Sequence, residues 1–391
     1  MTFKGEWVMW LSLSVFFGLY GLINYYIGIR GWQFLFKNIA GLSPFVYWVL
    51  FWVIAWAYVI QFIGKRFFPA GVSTVLAWVG SYWLGIMFYA FLIIGIIDLV
   101  RVLAGWTGIF PNFRAFLGGY GETVAVGVGL IILVLQVYGT WNALNPQVSR
   151  YEVTVPKSGE NLSQLKIVLV SDIHLGKIVG LKRLTRMVDM INEEKPDLVV
   201  FAGDIIDGNV DVFTEQNLDN VLKNIKAEYG VYGVLGNHEY ISREVDKAIF
   251  YLNKGGVRVL RDEVVRVEDS FYLVGRDERS NHSFSDTGRR KLTDLLTGVD
   301  KSDPVILLDH QPLDLAEAAE SGVDLQLSGH THQGQFFPIN LITERLFETD
   351  RGYLSKGSLQ VIVSNGFGTW GPPIRIGNKP EIVAISLRFQ R

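Results

Sequence analysis

Apolar residues fall along the chain in two different rhythms. Over residues 1–150 they run almost unbroken in four stretches, at about 7–29, 44–64, 72–100 and 122–144, separated by short loops. A helix needs roughly 20 residues to cross about 30 Å of hydrocarbon, and each stretch reaches that length. Four such runs in succession, almost free of charge, predict transmembrane helices rather than buried helices of a soluble protein. The start lacks the basic lead, short apolar core and small-residue cleavage site of a secretory leader.

After Arg150 the rhythm is that of a globular α/β domain. Residues 151–155, 165–170, 197–202, 231–235, 271–274, 304–308 and 325–327 read as strands, and Leu181, Leu184, Met187, Val188 and Ile191 recur at helical spacing. The expected organisation is a membrane domain over residues 1–150 and an α/β domain over 151–391. Most of these strands stop at a polar or glycine-bearing loop, and the carboxyl end of a strand is where an open α/β sheet presents its ligands.

Charge sharpens the boundary. Residues 1–150 hold 11 of the 74 charged side chains and ten of the 11 tryptophans, which anchor at the lipid–water interface. The net charge of −2 is the sum of +5 before Arg150 and −7 after it. An acidic domain is repelled by phosphate polymers, which argues against nucleic acid as a partner. No cysteine occurs, so disulfides, thiolate nucleophiles and Cys-ligated zinc are excluded.

Four spans put the N-terminus and the α/β domain on the same side of the membrane. Lys4, Lys65, Arg66 and Arg150 lie on that side, against Arg30, Lys37, Arg101 and Arg114 on the other, so the positive-inside rule returns a tie. Asp98 and Arg101, three residues apart at the end of the third span, read as an interfacial ion pair rather than a transport site.

Five short segments follow strands and carry the candidate chemistry: Ser171-Asp172-Ile173-His174, Ala202-Gly203-Asp204, Gly236-Asn237-His238-Glu239, Asp309-His310-Gln311 and Gly329-His330-Thr331-His332. Five of the six histidines of the chain lie in them, His282 being the exception. Carboxylate, imidazole and amide oxygen suit two divalent ions such as manganese, iron or zinc, and one Asp can bridge both. Two ions about 3.5–4 Å apart clamp a phosphoryl group and activate water, with no protein nucleophile. Taken singly the segments are weak, because Gly-Asp and Gly-Asn are also ordinary turns. The ordered set is strong.

In that order the set resembles the calcineurin-like metallophosphoesterase superfamily over about residues 160–390. With the preceding spans, the chain is similar to bacterial proteins that join a four-helix membrane region to a YkuE-like or YaeI-like phosphoesterase domain. The resemblance implies a sandwich of two mixed β-sheets flanked by helices, with the metals at one edge. It implies that Asp172, His174 and His332 hold one metal, that Asn237, His310 and His330 hold the other, and that Asp204 bridges them. His238 would meet the substrate as general acid or as a stabiliser of transition-state charge. The resemblance also favours an extracytoplasmic hydrolase domain in a bacterial plasma membrane.

Glu239 reads either as a support to His238 or a metal ligand, or as an exposed residue opening a helix. Arg276 reads equally as a contact to substrate phosphate or as part of a surface ion pair, and His282 as solvated. Phe336 and Phe337, just past the last histidines, are candidates for an apolar wall that accepts a lipid tail, with core packing as the alternative. Trp370, in a Gly/Pro-rich loop, is a candidate to border the same pocket. The functional expectation is hydrolysis of a phosphomonoester or phosphodiester, preferably of a membrane lipid or lipid-linked substrate. The alternatives are a tethered phosphodiesterase for soluble nucleotides and a membrane sensor or transporter whose domain binds phosphorylated ligands.

Overall fold

The computed structural model describes residues 3–64, 67–107, 120–159, 162–207, 210–280 and 288–390. It divides into two compact units, Met1–Tyr138 and Gly139–Arg391. His282 and Arg114 lie outside the described residues.

The first unit is built from α1 (Phe3–Gly31), α2 (Pro44–Gly64), α3 (Ala70–Thr107) and all but the last turn of α4 (Gly121–Ala143). All four helices are long and apolar enough to cross a membrane. Their burial is inverted relative to a soluble bundle. Leu19, Phe45, Val75 and Leu130 point outward, while Ala55, Ala57, Ala77 and Ser81 are buried. Lipid tails are as apolar as leucine, so helices in a bilayer associate through small residues that let backbones approach closely. Gly80 shows the mechanism: a Cβ there would overlap the backbone nitrogen of Tyr58 on α2. Two polar contacts inside the bundle cross between helices. Trp83 Nε1 donates to Asn24 Oδ1 at 2.8 Å, and Arg30 Nη2 meets Asp98 Oδ2 at 2.6 Å. Asp98 is therefore paired more closely with Arg30 than with Arg101, which is 3.8 Å away.

The second unit contains two six-stranded sheets. The first joins β1 (Gln147–Val155), β2 (Gln164–Val170), β3 (Leu198–Ala202), β4 (Val231–Val234), β5 (Val257–Val259) and β12 (Glu381–Phe389) in the order β1-β12-β2-β3-β4-β5. The second joins β6 (Glu263–Val267), β7 (Phe271–Gly275), β8 (Val305–Leu308), β9 (Leu325–Ser328), β10 (Gly352–Lys356) and β11 (Leu359–Val363) in the order β10-β11-β9-β8-β7-β6. Both sheets are mixed. β2 to β5 run parallel, as do β7, β8, β9 and β11, while β12–β2, β6–β7 and β10–β11 are antiparallel.

Alternation along the strands sets the layers. Leu165, Ile167 and Leu169 of β2 pack with Leu273, Ile306 and Leu325 between the sheets. Val168 and Val170 face outward onto Leu184, Met187 and Ile191 of the helix Leu181–Glu193. On the far side Val305 and Leu307 meet Leu315 and Ala318. The result is the expected sandwich of two mixed sheets between helices. It places the parallel strands with their carboxyl ends toward one edge.

Candidate metal centre

Five loops leave β2, β3, β4, β8 and β9 at that edge, and the first two are laced by their backbones. Asp172 N donates to Gly203 O and His174 N to Asp204 O, both at 3.0 Å. Asp172, His174, Asp204, His330 and His332 all have left-handed backbone, with φ between 48° and 73°. A non-glycine residue there costs on the order of 1–3 kcal/mol and persists only where the surroundings over-determine it, which is typical of functional loops. Gly203, at φ 86°, is also a close approach, since a Cβ would lie 2.5 Å from His310 Nδ1.

The side chains converge on two adjoining points. At one, His174 Nε2 lies 3.0 Å from His332 Nε2, which is 3.5 Å from Asp172 Oδ1. At the other, Asn237 Oδ1 lies 3.2 Å from His310 Nε2 and 3.1 Å from His330 Nδ1, and the two nitrogens are 3.2 Å apart. Asp204 stands between, with Oδ2 at 3.3 Å from His310 Nε2 and 4.0 Å from His174 Nε2. Asp172, His174 and His332 form one group whose ligand atoms could hold an ion, and Asp204, His310 and His330 form another.

The donor set fits a cation. Buried imidazole nitrogens 3.0 Å apart repel through their lone pairs unless a proton or a metal lies between them. Burial, reinforced by neighbouring positive charge, pushes the pKa of His174 down to about 4 and that of His330 to about 3, and holds His332 well below the ordinary imidazole range. These rings are therefore neutral at neutral pH, the state a metal ligand requires. Burial also opposes the charge on both Asp204 and His310, but their mutual attraction prevails, leaving the carboxylate well below its usual range and the imidazole well above. His310 Nδ1 is fixed by Ala202 O at 2.7 Å, which turns Nε2 toward the cluster.

Around these groups lie supports of three kinds. His238 N donates to Asp204 Oδ1 at 2.9 Å, and His238 Nδ1 faces Asp207 Oδ1 at 2.9 Å. Burial disfavours the imidazolium, but the Asp207 hydrogen bond and nearby carboxylates outweigh it and lift the His238 pKa to about 9. Glu239 is buried, and its carboxylate accepts from Gly236 N and Ile206 N at 2.8 Å each, joining two ligand loops. Arg375, fully buried, donates to Gly366 O and Gly368 O, with Nη2 3.1 Å from His332 Nδ1.

Asp207 and Arg375 were not foreseen from sequence. The spacing Gly203-Asp204-Ile205-Ile206-Asp207 could have suggested the first. A lone charge inside Ile374-Arg375-Ile376 was the faint signal of the second.

Not every candidate joins the centre. Arg276 is buried and engaged with Glu317 at 3.0 Å and Asp309 at 3.6 Å, so the substrate-contact reading gives way to a structural ion network. Phe336 is buried, whereas Phe337 and Trp370 are about half exposed. The side chain of Gln335 clasps Trp370, accepting from its N and donating to its O at 3.1 Å each.

Residues 165–334 match the family model described as calcineurin-like phosphoesterase. A metallophosphoesterase of Aquifex aeolicus is 36% identical over 267 residues, which cover 66% of this chain and 98% of that protein. The chain belongs to the calcineurin-like metallophosphoesterases. YkuE of Bacillus subtilis, also named as a metallophosphoesterase, is 31% identical over 70% of this chain and 97% of its own length. A transmembrane protein with metallophosphoesterase domain from Danio rerio is 34% identical over 69% of this chain and 64% of that protein. With its four apolar helices, this calcineurin-like enzyme is an integral membrane metal-dependent phosphoester hydrolase.

Proposed function

We propose that the enzyme hydrolyses a phosphomonoester or phosphodiester carried by a membrane lipid or lipid-linked molecule. Asp172, His174 and His332 hold one divalent ion, Asn237, His310 and His330 a second, and Asp204 bridges them. Manganese, iron and zinc all suit these nitrogen and oxygen donors. Bound there, the ions supply Lewis acidity and an activated water.

The side chains of the protein do the rest. Asp204 shares its carboxylate between the two positions and accepts from His238 N, which holds the two loops in register. Asp207 keeps the proton on His238 Nδ1 and stabilises the imidazolium, leaving Nε2 to give a proton to the departing oxygen or to meet charge developing on the phosphoryl group. Glu239 and Arg375 fix the loops on which these groups sit.

The lipid assignment rests on one observation: an apolar surface directly follows the last histidines. Phe337, Leu341, Ile342 and Leu346 are exposed along the segment leading into and through the helix Asn340–Leu346, and Trp370 is exposed nearby. The segment returns to the centre at Phe347, whose ring is 6.3 Å from that of His330. Exposed apolar side chains on a segment that begins and ends at a polar site fit a ligand with a tail and a phosphate head. The likeness to membrane-anchored bacterial metallophosphoesterases favours a hydrolase unit on the extracytoplasmic face of a bacterial plasma membrane.

Replacing Phe337, Leu341 and Ile342 together with Ser tests the lipid reading. The expected result is a selective fall in kcat/KM on phospholipid or lipid-linked phosphoesters, with hydrolysis of a small soluble phosphodiester unchanged. Equal loss on both substrates, or no loss on lipid, would leave a tethered enzyme acting on soluble nucleotides as the better reading.

A further inference from the structure

We infer that the helical bundle holds an anionic phospholipid of its own, with an acyl chain in a cavity among the four helices and its phosphate against Arg30 and Arg101. This site lies wholly within the first unit and uses none of the residues of the metal centre.

The cavity is a partly open cleft of about 430 Å³, within the range of about 300–1,000 Å³ typical of small-ligand sites. Phe34, Leu50, Ile86, Ala90, Val128 and Ile132 are among its walls, and its lining is apolar almost throughout. Charge enters at Arg30, Asp98 and Arg101, which also line it. Arg30 occupies the last turn of α1, and Arg101 lies less than two turns from the end of α3, where helix ends meet the headgroup region.

The charges do not balance. Asp98 Oδ2 receives Arg30 Nη2 at 2.6 Å and the hydroxyl of Tyr26 at 2.6 Å, and Arg101 Nη1 stands 3.8 Å from Asp98 Oδ1. Among the described residues that line the cavity, one carboxylate thus serves two guanidinium groups, leaving one positive charge over. An anionic oxygen beside Arg101, the more distant of the two from Asp98, would offset that spare charge.

Those two features select the occupant by chemistry. A soluble anion would answer the arginines but leave the apolar walls uncovered, whereas a neutral lipid would fill the walls and leave the charge. A phospholipid with a net negative headgroup does both, and the bilayer supplies it.

The test uses the full chain in detergent, with phosphatidylglycerol and phosphatidylcholine as probes and native mass spectrometry as readout. The wild type should retain one phosphatidylglycerol per chain, in preference to phosphatidylcholine by about fivefold, the value of one uncompensated arginine near an anionic headgroup. Arg101→Gln, which leaves Arg30 and Asp98 in balance, should bind both lipids equally. Gly129 lines the cavity, and a Cβ there meets nothing within 4 Å, so Gly129→Leu extends into the space without backbone conflict. That variant should lose both lipids while still hydrolysing a soluble phosphodiester.

Retention by Gly129→Leu at the wild-type level would overturn the inference, as would unchanged selectivity in Arg101→Gln. Equal binding of the two lipids by the wild type would overturn it without recourse to any variant.

Discussion

Replacing Asp207 with Asn isolates what the carboxylate does for His238. The amide oxygen of Asn can still accept from His238 Nδ1 across the 2.9 Å contact, so the ring keeps its place and loses only the negative charge behind it. A hydrogen bond to a charged group contributes about 1.5–3 kcal/mol against about 0.5–1.5 for a neutral one, so losing the charge alone costs about 1–1.5 kcal/mol, a fall of about 5- to 13-fold in kcat/KM. The loss should fall mainly on kcat, because the charge matters most when the imidazolium acts on the reacting phosphoryl group. Asp207 is also a principal cause of the rise in the His238 pKa to about 9. A group needed in its protonated form is lost as pH rises through its pKa, so the alkaline limb of the rate profile should lie near pH 9 in the wild type and move lower in Asp207→Asn.

The assay is a pH–rate profile on a soluble phosphodiester for the wild type, Asp207→Asn, His238→Ala and the double variant. If Asp207 acts through His238, its replacement costs nothing further once the ring is gone. A second loss of the same size in the His238→Ala background would refute the reasoning, as would an alkaline limb that stays where it was.

Three further outcomes follow from the same geometry. Gly203→Ala places a methyl group 2.5 Å from His310 Nδ1 at a left-handed backbone position, so metal analysis should show one ion lost per chain. Arg375→Met leaves the carbonyl of Gly368 without its donor in a fully buried site, while Gly366 O keeps Glu381 N, and one such unsatisfied group costs about 1–3 kcal/mol. Thermal unfolding of the full chain should shift down by several degrees, and Arg375→Lys should restore little because one ammonium cannot reproduce the fork. Arg276→Met disturbs the ion network with Glu317 and Asp309 and should lower thermal stability, while KM for a soluble phosphodiester stays close to that of the wild type.

What could be read from sequence was whatever is local and chemically rare. The four spans showed as uninterrupted apolar runs, although α1 and α3 extend beyond them, to Phe3–Gly31 and Ala70–Thr107. Helical hydrogen bonding continues past the last apolar residue. The strands that lead into the site were visible because each is a buried apolar run ending at a polar loop. By contrast β12, which inserts between β1 and β2, is a pairing between the end of the chain and residues more than 200 positions earlier, and no local pattern encodes it.

At the centre, histidine is scarce enough for its clustering to carry information, whereas Asp207 is one acidic residue among 38. Arg375 binds mostly backbone carbonyls, which any sequence offers everywhere. Phe336 and Phe337 were indistinguishable as a pair, yet they face opposite ways, and only one reaches the surface. Arg276 could not be assigned between a phosphate contact and an ion pair because its partners Asp309 and Glu317 lie on elements that the fold brings to it.

We propose that Asp172, Asp204 and the five clustered side chains around them hold two ions on which hydrolysis depends. Metal content and phosphodiester hydrolysis are to be followed in one purified sample through chelation and re-addition of manganese. Two ions per chain are expected, with activity falling to background as they are stripped and returning as both sites refill. Full activity with less than one ion per chain would contradict it.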